Sequence, residues 1–349
     1  MDLLIASKTD NATRLHHYAL DGATGRIHEA GDALDVAGAL YFILGAAGRR
    51  LYCSYNVDGH GEVAAYRLDP TAGAPAHLAS LPTDGAEPCY LALAGDERLL
   101  LVSNYAGPAK RGSVVAIALD DDGAPVHITD RHEHAGHGVH PRRQGESHPH
   151  SIRPDPAGRF ACVPDLGIDR VVIYRLDAAA GRLHPAGQAD APAGGGPRHL
   201  AFHPTRPWAY VVMELSGQVV AYRRDEAAGA LERIDESPTL PDDFTGDNTA
   251  AELLISPDGR YLFSSNRGHD SIAVHRVDEG TGRLRRCGHC PTGGGNPRHF
   301  EISDDGRWLI VSNTADDNVT VLRHDDGRLE QTHQLALPAA GCVKAWPGR

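Results

Sequence analysis

The chain has 349 residues, of which 41% are apolar and 23% charged, enough to bury a large core and outside the composition of disordered chains. Its formal charge of -12 argues against non-specific DNA or RNA binding, which needs a basic surface, so an anionic ligand must be met by a local basic pocket. With 39 glycines and 23 prolines, the composition points to a turn-rich, all-β protein.

In chain order, the opening MDLLIASKTD holds only a short apolar run between charges. It predicts neither a secretory leader nor a membrane span, and places the protein in the cytoplasm. Six scattered cysteines suit thiols in a reducing compartment better than a disulfide framework.

LLIASK is also the first copy of a repeat in which a turn leads into an apolar run, a small residue and a polar one. GRRLYCSY, DERLLLVSN, AGRFACVPD, TRPWAYVVME, DGRYLFSSN and DGRWLIVSN follow. The copies end at Lys8, Tyr55, Asn104, Asp165, Glu214, Asn266 and Asn313, separated by 47, 49, 61, 49, 52 and 47 residues. That period belongs to four-stranded propeller blades rather than to helical repeats, and a β-sandwich would not repeat in this way. Seven copies predict a seven-bladed β-propeller over residues 1–349 as a single domain.

Residues 197–236 illustrate one unit: RHLAFH, AYVVMEL, QVVAYRR and ALERIDE alternate as strands between short turns. Six units carry a first strand before the anchor, beginning near Tyr41, Tyr90, His150, Arg198, Ala251 and Arg298. The N-terminal unit begins at its second strand, so CVKAW at 342–346 is expected to pair with Leu3–Ser7 and close the ring.

In an antiparallel meander the start of the first strand and the end of the second share one end. This places His150 beside Asp165, Arg198 beside Glu214, Ala251 beside Asn266 and Arg298 beside Asn313, with Arg267 adjoining, around one channel mouth. Polar residues also occur at such mouths merely because water enters. Buried guanidinium groups, however, must pair with carboxylates or await an anion.

The 61-residue gap contains RHEHAGHGVHPRRQGESHPHS, expected to cover the same mouth. His132, His134, His137 and His140 could supply imidazoles to a metal, but their spacing matches no zinc pattern, and the intervening glycines suggest an unordered loop. The loop reads instead as a substrate lid or rim, in which Arg142 and Arg143 steer an anion. Cys287-Gly-His-Cys290 has redox spacing but lies in an outer strand rather than at a helix N-terminus. GGGPRH and GGGNPRH precede strands, so they are inter-blade crossovers rather than phosphate loops.

RQGESHPHS, PDLGIDRVVIYRLD, GPRHLAFHP, AYVVMEL, SPDGRYLFSSNRGHDSIAVHRVD and NPRHFEISDDGRWLIVSN together resemble the seven-bladed propeller lactonases. That family includes bacterial 6-phosphogluconolactonases of the cycloisomerase-like type and the fungal carboxy-muconate lactonizing enzyme. The resemblance spans nearly the whole chain and implies that His150, Arg198, Glu214 and Arg267 lie in an active-site cleft; Arg267 rests on it more than on spacing. The histidines at 132–140 depart from the family pattern.

The function expected is hydrolysis of a sugar-acid lactone, foremost 6-phosphogluconolactone, with a small anionic lactone as partner and no cofactor. Glu214 or His150 would deprotonate water and Arg198 would stabilise the oxyanion. Arg267 and Arg298 would bind phosphate or carboxylate, and His148, Asp165, Asn104, Asn266 and Asn313 complete the substrate-binding set. No serine sits in a nucleophile elbow. Muconate cycloisomerisation and a non-catalytic binding platform are the alternatives.

Overall fold

A computed structural model describes residues 1–9, 12–38, 41–69, 74–107 and 111–347. Its strands form seven antiparallel sheets, which are the seven blades, and no helix is present among the described residues. The fifth blade comprises Pro197–Phe202, Trp208–Met213, Gln218–Arg224 and Leu231–Pro238, close to the strands read from the sequence.

The apolar runs form second strands because blades stack against both of their faces. Trp208–Met213 and Trp308–Asn313 are buried at every residue, whereas the outermost strand Arg328–Ala336 is largely exposed. Continuous apolar runs are stable only where neither face meets water.

Ring closure follows the expected pairing. Ala340–Ala345 lies antiparallel to Asp2–Thr9, with Leu3 opposite Ala345, Leu4 opposite Lys344 and Ile5 opposite Val343. Leu3, Ile5 and Tyr18 of this blade share a buried cluster with Trp308, Ile310 and Val319 of the last one. The ring is therefore sealed by an apolar interface as well as by hydrogen bonds.

The inner strands depart from simple pairing where they reach the channel. Their registers shift between Pro197 and Leu200, between Ala250 and Leu253, and between Pro297 and His299. A bulge lets consecutive side chains turn toward the same space, which strict alternation forbids. Arg198 and His199 both line one cavity, as do Arg298 and His299. The expected opposites move accordingly: Pro149, not His150, bridges Asp165; Ala250 faces Asn266, and Pro297 faces Asn313.

Candidate active site

The cavity at the channel mouth has a volume of about 440 Å3, and Tyr41, Cys89, Tyr105, Arg143, His150, Arg198, His199, Glu214, Arg267, Arg298 and His299 contribute to its lining. Glu214 is placed by the glycine-rich crossover, since its backbone N–H donates to Gly196 O at 2.7 Å. Gly196 has φ of 65°, and a Cβ there would lie 2.6 Å from Leu215 Cγ, so this crossover requires glycine.

Three guanidinium groups converge on the Glu214 carboxylate. Arg143 Nη2 donates to Oε1 at 2.6 Å, Arg198 Nε to Oε2 at 3.0 Å, and Arg267 Nη2 lies 3.0 Å from Oε2. Burial works against the charge of Glu214, but Arg267, Arg198 and Arg143 outweigh it and hold the carboxyl below its usual range. Arg198 is further fixed by donation from Nη1 to Ala251 O at 2.6 Å. Arg267 donates to Thr249 O and Ala250 O, at 3.2 and 3.1 Å.

Arg298 differs from these three. It lines the cavity, is exposed to it, and makes no hydrogen bond or close ion pair with any described residue. It is the guanidinium left for a ligand.

His150 is buried beside this cluster, with Nε2 at 3.9 Å from Glu214 Oε2, beyond hydrogen-bond range. Burial first, then Arg198, His199 and Arg298, push its imidazole well below the ordinary value, so it is neutral near pH 7. Cys89 donates to His150 O from Sγ at 3.3 Å, and burial pushes its thiol up to about 12. A thiolate nucleophile is therefore disfavoured here.

Five residues expected to bind substrate do not line the cavity, and each has a structural assignment instead. Asn104 accepts from Thr83 Oγ1 at 2.7 Å and donates to Thr83 O at 3.2 Å; Asn266 makes the same pair of bonds with Thr239, at 2.8 and 2.7 Å. Asn313 donates to Thr292 O at 3.0 Å. These asparagines are fully buried clasps between the second strand and the chain leaving the outermost strand. Asp165 is also fully buried, accepting from the His148 and Gly167 backbone N–H groups at 2.7 and 3.0 Å and facing His134 Nδ1 at 2.7 Å. His148 donates from Nδ1 to Tyr105 O at 2.9 Å and stacks on that ring, with centroids 4.2 Å apart, so it buttresses a lining residue.

The histidine-rich segment is pinned rather than unordered. His134 bridges Asp165 and the Tyr174 hydroxyl, while Gln144 Nε2 donates to Leu166 O and Asp169 Oδ1 at 2.8 and 2.6 Å. His140 Nδ1 accepts from the Arg142 and Arg143 backbone N–H groups at 3.3 and 3.2 Å. This anchoring sends Arg143 into the cavity while Arg142 stays exposed. Cys287 and Cys290 lie on the outer strand Leu284–Pro291 as free thiols.

His199, His299 and Tyr105 were not among the expected site residues, and Arg143, expected only as a rim charge that steers an anion, reaches into the cavity and pairs with Glu214. The repeated PRH tripeptide carried a signal for the two histidines, because each directly follows an arginine that falls inside a bulge.

Comparison with known proteins agrees with this architecture. A family model described as a seven-bladed β-propeller lactonase matches residues 2–345. The 6-phosphogluconolactonase of Bacillus subtilis (strain 168) is 32% identical over 286 residues, covering 82% of this chain and 80% of the relative. The periplasmic gluconolactonase PpgL of Pseudomonas aeruginosa superposes with a TM-score of 0.90 at 29% identity, covering 99% of each chain. A putative 6-phosphogluconolactonase of Bacteroides fragilis gives a TM-score of 0.89 at 27% identity, covering 98% of this chain and 97% of the other. No helix among the described residues is long and apolar enough to cross a membrane. With its closed ring, its arginine-lined mouth and a family match over nearly its whole length, the chain belongs to the seven-bladed β-propeller lactonases.

Proposed function

We propose that this protein hydrolyses an anionic sugar-acid lactone, with 6-phosphogluconolactone as the favoured substrate. The observation that carries the reading is Arg298, an unpaired guanidinium inside a cavity whose other three arginines already surround Glu214. The lining holds Arg143, Arg198, Arg267 and Arg298 against the carboxylates of Glu214 and Glu87, so it is cationic within an acidic protein. A phosphate or carboxylate on the substrate would restore balance, and Arg298 and Arg267 are the groups to hold it.

Between the two bases weighed from the sequence, the geometry favours His150. Glu214 is stabilised as an anion by three guanidiniums and is correspondingly a weak proton acceptor. Burial, Arg198 and Arg298 weaken His150 as a base too, but it is neutral, borders the cavity, and its Nε2 makes no hydrogen bond with any described residue, whereas both oxygens of Glu214 are already occupied by guanidinium groups. Water gives a proton to His150 as its oxygen adds to the lactone carbonyl, and Arg198 stabilises the resulting oxyanion. Collapse breaks the ring C–O bond, and the imidazolium returns the proton to the departing alkoxide, giving the open hydroxy acid. Glu214, near His150 Nε2, stabilises the imidazolium in between. A cytoplasmic location belongs to the same proposal, in keeping with six free cysteines.

The test is a screen of phosphorylated and unphosphorylated aldonolactones with product analysis, subtracting spontaneous opening. Faster opening of 6-phosphogluconolactone with no turnover of muconates is expected. Conversion of muconates without lactone hydrolysis would overturn the proposal.

A further inference from the structure

Six charged side chains line the cavity, and four of them satisfy one another, since Arg143, Arg198 and Arg267 surround Glu214. The other two are Arg298 and Glu87. Like Arg298, the Glu87 carboxylate is exposed and makes no hydrogen bond or close ion pair with any described residue. Glu87 belongs to the first strand of the third blade, Ala86–Ala94, and Arg298 to that of the seventh, Pro297–Ile302. In a ring of seven, two blades cannot lie further apart. The cavity floor offers little, because its groups are engaged below. Tyr41 stacks on Tyr90 with centroids 4.8 Å apart, and His199 Nδ1 lies 2.7 Å from Oε1 of the buried Glu252.

Glu87 is held against its own backbone preference. Its φ is 52°, in the left-handed region that favours glycine, and among the described non-glycine residues with positive φ only Glu87 lies inside a strand. Its N–H donates to Asn56 Oδ1 at 2.9 Å, which ties it to the second strand of the neighbouring blade, Arg50–Val57. A bulge follows at once, with Pro88 facing Asn104 and Tyr90 facing Ser103. Glycine would relieve the strain, yet a carboxylate stands here on the cavity wall. Strain retained at a lining residue points to a use for its side chain.

The chemistry of this pair is selective. With its oxygen turned to the Glu87 N–H, Asn56, which also lines the cavity, has its NH2 group left as a donor, and the neighbouring Glu87 carboxylate can only accept. A ligand hydroxyl answers both, donating to Glu87 and accepting from Asn56. An ammonium satisfies Glu87 but cannot accept from Asn56, and a carboxylate or phosphate meets a like charge.

We propose that Asn56 and Glu87 form the wall that reads sugar hydroxyls, while Arg298 holds the anionic group across the mouth. The occupant is a polyhydroxylated chain with an anion at one end. A muconate, which has carboxylates and no hydroxyl, is turned away. This deepens the lactonase reading of the cavity and rests on it.

The experiment is calorimetry with two probes that both carry a carboxylate and a phosphate: 6-phosphogluconate, and 6-phosphooxyhexanoate, the same chain without its hydroxyls. Because both are polyanions, the ratio of their dissociation constants cancels the general effect of a charge near the site. Wild type should bind 6-phosphogluconate about 10-fold more tightly or better, the lower end for a hydrogen bond to a charged group. Glu87→Gly should bring the ratio to within about threefold, and Glu87→Gln, which retains one acceptor oxygen, should fall between. Melting temperature should hold or rise in Glu87→Gly, because the left-handed φ is then unstrained. A wild-type ratio near one, or a ratio unchanged in Glu87→Gly, would overturn the proposal. So would a fall in melting of more than about 3 °C in that variant, which would make Glu87 a structural residue.

Calorimetry needs no turnover, so the two readings fail separately. If wild type opens no lactone, the functional reading falls while the ratio still tests the hydroxyl wall. If it opens lactones and the ratio is unchanged in Glu87→Gly, the wall alone is refuted.

Discussion

Replacing Arg298 with alanine isolates the role of charge in substrate recognition, because this side chain has no hydrogen bond or close ion pair to lose within the protein. A charge-assisted hydrogen bond contributes about 1.5–3 kcal/mol, and tenfold per 1.4 kcal/mol converts this to roughly a 10- to 150-fold rise in KM for the phosphorylated lactone. An unphosphorylated gluconolactone should change by less than about threefold, since uniform binding of the phosphate is what the substitution removes. Melting temperature should shift by about 1 °C or less, as for substitutions that break no native contact. The assay follows acid release from both lactones at several enzyme concentrations, with the uncatalysed rate subtracted. Equal losses on the two substrates would refute the assignment of Arg298 to the substrate anion.

Glu214→Gln removes the shared partner of Arg143, Arg198 and Arg267. Breaking a buried ion pair costs about 3–5 kcal/mol, or roughly 4–7 °C in melting temperature for 349 residues, toward the lower value because Arg143 is partly exposed; an unchanged melting curve would contradict the clamp. His150→Ala should lose about 100-fold or more in kcat while Glu214→Gln retains more activity, and the reverse order would make Glu214 the base. The depressed imidazole of His199, at about 4, means that the unfolded chain takes up a proton below pH 6.5 where the folded chain does not. Burial likewise lowers His275 to about 4, so stability should fall as pH drops from about 6.5 toward 4, and a flat thermal profile over that range would contradict this. Deleting residues 340–349 removes the strand paired with Asp2–Thr9 and should give an aggregating, lower-melting protein, whereas unchanged melting would contradict the closure.

The blade plan was legible because each second strand is buried on both faces and therefore appears as an unbroken apolar run after a turn. Ring closure was legible from the strand that the N-terminal unit lacks. The same repetition misled the assignment of Asn104, Asn266 and Asn313. A residue recurring at one position of many blades answers a requirement common to all blades, here the clasp to Thr83, Thr239 and Thr292. Glu214 breaks that recurrence and faces the cavity instead. The contact of Arg143 with Glu214 and the placement of His199 and Glu252 were hidden for another reason. Arg143 reaches the cavity through an irregular loop fixed by Gln144 and His140, and the other two lie in bulges, whose presence no alternation pattern reveals.

Hydrolysis in 18O-labelled water tests the central claim most directly. The protein should accelerate opening of 6-phosphogluconolactone above the rate in buffer, with one labelled oxygen appearing in the product carboxylate. No acceleration over buffer, or conversion of a muconate to its lactone without incorporation of label, would contradict the assignment of this cavity to water attack on a lactone carbonyl.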